Sequence, residues 1–199
     1  MNTKFVPLVV TALMGVAATG GTHIARYGGS AEVVGLVKSG GKGVAQAVVS
    51  IQDVPGSYHA SGSPVKMDQR DKEFLPHVLA IMKGTTVRFD NSDPYFHNVF
   101  SSSHVQTFNV SQEKRGDSSD IKFDHAGIIP IKCHIHANMK AYIIVLANPF
   151  FSKTSSTGLF RIEGVPAGTY TLKVWSEAGS TTQQITVPAS GQAKTIVNL

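Results

Sequence analysis

The sequence predicts an all-β protein, a β-sandwich with a second, smaller β-sandwich-like unit behind it. Apolar residues recur in short runs rich in Val, Ile, Thr and Phe, without the three-and-four spacing of an amphipathic helix. Clusters of Gly, Asn, Asp and Ser separate these runs and supply turns. With 42% hydrophobic and 16% charged residues among 199, the chain can fill one ordinary core and a smaller one, which excludes a disordered protein.

The chain opens with Lys4 and an apolar run over 5–18, and Val16, Ala17 and Ala18 precede a possible cleavage point. This is the layout of a secretory signal peptide, expected over 1–22, and it implies a periplasmic or secreted protein. An uncleaved anchor is the alternative, although the run is short for a span and is interrupted by Pro7. No later segment suits a transmembrane span, so none is expected in the mature chain.

Strands follow at 33–37, 47–51, 77–82, 85–89, 98–101, 105–110, 120–123, 128–133 and 141–146, a spacing that suits a sandwich. Between the second and third, 53–74 carries Gly56, Gly62, Pro64 and a charged stretch at 68–73, and reads as a long loop or one short helix. A first unit over 31–147 results. From 148 the pattern changes: Phe160 and Ile162 alternate, as do Tyr170, Leu172 and Val174, and the turn Val165, Pro166, Ala167, Gly168 predicts a hairpin between them. Strands at 182–187 and 194–198 complete a second unit over 148–199, with Trp175 expected in its core. About fifty residues of sheet rarely build a core alone, so this unit is expected to lean on the first or to share strands with 31–52.

The formal charge of +5 falls to +4 if Lys4 leaves with the signal, and the basic residues are scattered. No basic stretch interleaved with aromatics is present, so nucleic acid is not an expected partner. Neither a nucleophile motif nor a phosphate-binding Gly loop supports hydrolysis or nucleotide chemistry.

Cys133 is the only cysteine, which rules out an internal disulfide. It stands in C-x2-H-x2-M with His136 and Met139, and a separate His97 offers a fourth ligand. A soft thiolate and two imidazoles form a trigonal set, and a weak thioether on its axis completes a mononuclear electron-transfer copper site. One copper ion is the expected cofactor. His134 adjoins Cys133, but neighbouring side chains on an extended segment point to opposite faces, so it is expected outside the site. His23, His59, His77, His104 and His125 read as ordinary surface or core residues, and Met67 and Met82 as packing residues.

Further residues extend the pattern. Phe74, Leu75, Pro76, Gly84, Phe89, Asn91 and the triplet His97, Asn98, Val99 resemble, in order and spacing, the plastocyanin strands that lead to its first copper histidine. Gly127 matches the strand entering the cysteine, and the ligand loop resembles that of amicyanin. Over roughly 74–146 the chain thus resembles the cupredoxins, the type 1 blue copper family. That resemblance implies a Greek-key β-sandwich, His97, Cys133, His136 and Met139 as copper ligands, and His136 facing redox partners through an apolar patch while His97 sits deeper. Asn98, beside the ligands, is expected to donate its backbone N–H to the sulfur and to tie the two ligand loops together. Lys132 stands where plastocyanin has an aromatic residue, and Ala141 where the family often has Gly. The plastocyanin aromatic electron route is therefore not carried over.

The tail resembles carboxypeptidase regulatory-like, prealbumin-like modules through G-x-F-x-I-x-x-V-P-A-G-x-Y-x-L-x-V, and the combination is similar to methylamine-utilisation-like proteins. The expected function is one-electron transfer, Cu(I)/Cu(II), between a donor and an acceptor redox protein, without enzymatic turnover of a substrate. Copper delivery and a copper oxidoreductase subunit are the alternatives; for the latter, Lys132 replaces the His that would link the cysteine to a second copper.

Overall fold

The computed structural model describes residues 30–199. The expected signal over 1–22, and His23, lie outside them. Strands β1 (Ser30–Ser39), β2 (Lys42–Gly43), β3 (Val48–Ile51), β4 (Val65–Arg70), β5 (Glu73–Leu75), β6 (Val78–Met82), β7 (Thr85–Asn91), β8 (His97–Ser102) and β9 (Thr107–Glu113) come first. They are followed by β10 (Ser118–Phe123), β11 (Gly127–Lys132), β12 (Lys140–Leu146), β13 (Phe151–Lys153), β14 (Leu159–Val165), β15 (Gly168–Ser176), β16 (Gly179–Val187) and β17 (Ser190–Asn198). Among the described residues no helix is long and apolar enough to cross a membrane.

Four sheets make two sandwiches. In the first, sheet β10-β7-β4-β5 faces sheet β6-β12-β11-β8-β9. Alternation sets the faces: Val87 and Phe89 of β7 turn inward while Arg88 turns out, and rungs such as Ile129↔Ile143 align core residues across β11 and β12. β12 is apolar almost throughout because both of its faces are covered. Ile143 and Val145 enter the sandwich core, and Tyr142 and Ile144 pack toward the second unit beside Val48 and Trp175.

The second sandwich is built from strands before and after the first. β1 pairs in parallel with β17 and antiparallel with β14, and β3 pairs with β13 and β15. Its single core draws on Val33, Val49 and Val54 as well as Phe160, Leu172 and Val174. β1, β2 and β3, which lie within 31–52 apart from the first residue of β1, therefore belong to the sheets of the tail, which has too little apolar material for two closed sheets without them.

Two expectations need correction. The 53–74 segment contains β4 and β5 rather than only a loop or helix. Its strand signal is hidden because β4 buries Asp68 and Gln69 beside Met67, and their polarity is answered by Ser92 and by the carbonyl of Asp90. β14 and β15 do not form a hairpin: the turn between them is a corner at which the chain changes sheet. Phe160 and Ile162 thereby join Leu172 and Val174 in one core between the sheets, where a flat hairpin would leave them on one surface. Trp175 is half-buried at the junction of the two sandwiches rather than in a sandwich core, with its ring 5.1 Å from that of Tyr142.

Candidate metal centre

The β11–β12 ladder closes at Lys132↔Lys140, so Cys133 and Met139 flank the turn immediately beyond it. Within that turn the Met139 N–H donates to the His136 carbonyl at 2.9 Å. Cys133 and Met139 are buried in the same core cluster, and His136 is half-buried. His97 starts β8 and is fully buried. Ligand atoms of His97, Cys133 and His136 all lie within 4.8 Å of one another, and the two Nδ1 atoms are 3.1 Å apart.

The other side of the His97 ring is pinned. Its Nε2–H donates to Asp93 Oδ2 at 2.8 Å, which leaves the Nδ1 lone pair turned toward His136. Asp93 accepts two more bonds, from the backbone N–H groups of Asp71 (2.7 Å) and Lys72 (2.9 Å). Those donors converge because Asp71 (φ 56°) and Lys72 (φ 59°) both adopt left-handed backbone in the β4–β5 turn. Burial works against the Asp93 carboxylate, but the Lys72 N–H, the His97 ring and the Asp71 N–H outweigh it and hold its pKa below the ordinary value. The His136 pKa is lowered, first by burial and then by the neighbouring positive character of His97 and Lys72, with Asp93 opposing. A neutral imidazole is the form that binds a metal.

Asn98 connects three segments. Its amide donates to Asn109 Oδ1 (2.6 Å) and the Val110 carbonyl (2.5 Å), and its Oδ1 accepts the His134 N–H at 3.3 Å. The ligand loop is thus fastened to β8 and β9. His134 lies on the exposed side, its ring stacked on Phe100. Around the half-buried His136 the surface is apolar: Tyr95, Phe96 and Ile135 are exposed, and the Tyr95 ring is 6.4 Å from that of His136. Lys72 Nζ sits 4.6 Å over the Tyr95 ring.

These residues fit a small thiophilic metal ion. At metal–ligand distances of about 2.0–2.3 Å, two donors of a trigonal set stand roughly 3.5–4 Å apart, a span the cluster reaches with a slight opening of the two imidazoles. His59, His104 and His125 are exposed, and His77 pairs with Glu177. Asp93 is the functional residue that the sequence reading missed; its one local signal is a carboxylate in the Asn91–Pro94 turn just before His97.

A family model described as "Polysaccharide lyase family 4, domain II" matches residues 145–196. It covers the tail strands and is a different family from the carboxypeptidase regulatory-like modules to which the motif pointed. No curated protein matches the chain. Among solved structures, the chain is similar to a Cu-containing nitrite reductase from Thermus scotoductus SA-01, at 27% identity and a TM-score of 0.41, over 46% of this chain and 24% of that one. The chain therefore spans about a quarter of that enzyme's length. It is also similar to a reduced tryptophan-to-tyrosine mutant of amicyanin, at 18% identity and a TM-score of 0.41, over 49% of this chain and 98% of that one. A purple cupredoxin from Nitrosopumilus maritimus aligns at 24% identity and a TM-score of 0.38, over 41% and 98%.

Proposed function

We propose that the protein is an exported, mononuclear type 1 copper protein that carries single electrons between a donor and an acceptor redox protein. The observation that carries this reading is the convergence of His97, Cys133 and His136 within 4.8 Å, at the edge of a core that also holds Met139. His97 and His136 would hold the ion as neutral imidazoles, Cys133 as a thiolate and Met139 as a weak axial thioether. When bound, copper supplies a one-electron Cu(I)/Cu(II) couple.

The protein's own groups fix the surroundings. Asp93 orients His97, and Asn98 holds the ligand loop to β8 and β9, which limits rearrangement between the two charge states. Tyr95, Phe96 and Ile135 offer an apolar face through which the His136 edge meets a partner and water is excluded. Export is part of the reading, since coordination protects a lone thiol in an oxidising compartment. Copper delivery would use the same ligands, but the anchored His97 and Asn98 favour a site that stays closed around its ion. The second sandwich stabilises or docks and supplies no ligand.

Voltammetry of the copper-loaded protein tests the carrier reading. A reversible one-electron wave is expected, and Met139→Leu should keep the copper while raising the potential, because a weak donor that favours Cu(II) is lost. An irreversible wave with copper lost on reduction would favour delivery, and an unchanged potential in Met139→Leu would remove Met139 from the axis.

A further inference from the structure

We propose that the cleft between the two sandwiches binds a small aromatic monocarboxylate. On β12, Ile143 and Val145 turn into the first core while Ile144 and Leu146 turn toward the second sandwich, and Ile128 stands directly opposite Ile144 in the β11–β12 ladder. Facing them, β15 puts Lys173 and Trp175 on one side of its sheet, opposite Ser50 and Val48 of β3. The two faces meet at Val48, Val78 and Ile144, which are buried between them. Beside this contact, between Gly127 and Leu146 on one wall and Gln52 on the other, a cavity of about 250 Å³ opens. It lies at the end of β11 and β12 remote from Cys133 and Met139, and is distinct from the metal centre. A cavity of about 150 Å³ suffices for benzene, so the volume admits one substituted ring and little more.

The polar groups on the wall select the substituent. Lys173 is half-buried, and among the described residues no carboxylate pairs with it. A cation partly withdrawn from water in this way gains from an anion placed beside it. Its cross-strand neighbour Ser50 is buried and accepts the Gln52 amide at 2.7 Å, but its own hydroxyl reaches the Lys173 carbonyl only at 3.5 Å, the limit of a hydrogen bond. A carboxylate over this pair takes a charge-assisted bond from Lys173 and a shorter one from Ser50 than the hydroxyl now makes. The attached ring then lies against Ile128, Leu146 and Trp175, whose own ring leans on Tyr142 at 5.1 Å. Asp53 is exposed at the rim and repels a second negative charge, which restricts the ligand to a monoanion. Binding is non-covalent and does not depend on the identity of the metal.

The test titrates the full protein with benzoate and follows the emission of Trp175, the only tryptophan in the chain, beside isothermal calorimetry. Benzoate should bind saturably and change that emission. Benzamide, with the same shape and no charge, should bind about tenfold more weakly, and phthalate, with a second charge, should also bind more weakly than benzoate. Lys173→Gln should reduce benzoate affinity to that of benzamide while leaving benzamide binding unchanged, and Ser50→Ala should weaken benzoate severalfold. The proposal is overturned if benzoate does not bind saturably, if benzamide binds as tightly, if calorimetry detects binding that leaves the Trp175 emission unmoved, or if Lys173→Gln keeps the wild-type affinity for benzoate.

Discussion

The two sandwiches bury polar groups to different ends. In the second, Thr154 accepts the Ala47 N–H (2.9 Å) and donates to the Val44 carbonyl (2.7 Å), while Asn148 donates to the Ile51 carbonyl (2.9 Å) and accepts the Phe150 N–H (3.0 Å). Each of these side chains closes a backbone gap where β3 meets the tail. In the first, Asn91 holds the Asp93 N–H (2.9 Å) and the Tyr95 carbonyl (2.8 Å), Asp93 holds His97, and Asn98 holds the ligand loop. Buried polar groups are costly unless paired, so both sets are satisfied, but only the first converges on a donor atom left available for a metal. One sandwich thus uses polarity to knit its chain and the other to aim it.

The largest effect expected from this contrast is structural. Phe150→Ala removes a fully buried ring from the second core and should destabilise the protein by about 3–5 kcal/mol. Below the unfolding transition it should leave the copper spectrum unchanged, as thermal unfolding and absorption on one sample will show. A folded Phe150→Ala protein with an altered copper band would break the separation between the two units. Next in size, Asp93→Asn should keep the fold and lower copper affinity by roughly 10–100-fold, since His97 loses its carboxylate partner; competition with a chelator measures this. An unchanged affinity would mean that the Asp93 contact does not orient the ligand.

The smallest effect concerns the junction. Glu177 of the second unit meets His77 and Lys140 of the first, and its pKa is lowered, chiefly by the His77 hydrogen bond, against burial and with help from Lys140. A carboxylate depressed in the folded state contributes stability above its unfolded pKa and loses it as pH falls through the folded value. The group is partly exposed, so the contribution is small. Glu177→Gln should lower the melting temperature slightly at neutral pH, with the gap to wild type closing in acid. A gap that widened in acid would reverse the assigned sign.

Much of this was legible in the sequence, for identifiable reasons. β7, β11 and β12 carry clean apolar patterns, and the C-x2-H-x2-M spacing marks a loop whose short span forces its donors together. β4 escaped because its buried positions include Asp68 and Gln69, whose burial depends on partners distant in sequence. The corner between β14 and β15 escaped because alternation reports which residues face a core and not which sheet they join. Asp93 escaped because its role depends on two N–H groups from a turn more than twenty residues upstream, and a carboxylate in the turn before His97 is a weak mark without them.

The most direct test of the central claim is the visible absorption spectrum of the copper(II) protein beside that of Cys133→Ser. The account predicts an intense thiolate-to-copper charge-transfer band in the wild type and its loss in the variant, because Cys133 supplies the only thiolate in the chain. A wild-type protein that binds copper without that band, or a variant that retains it, would contradict the assignment of Cys133, and with it the type 1 site.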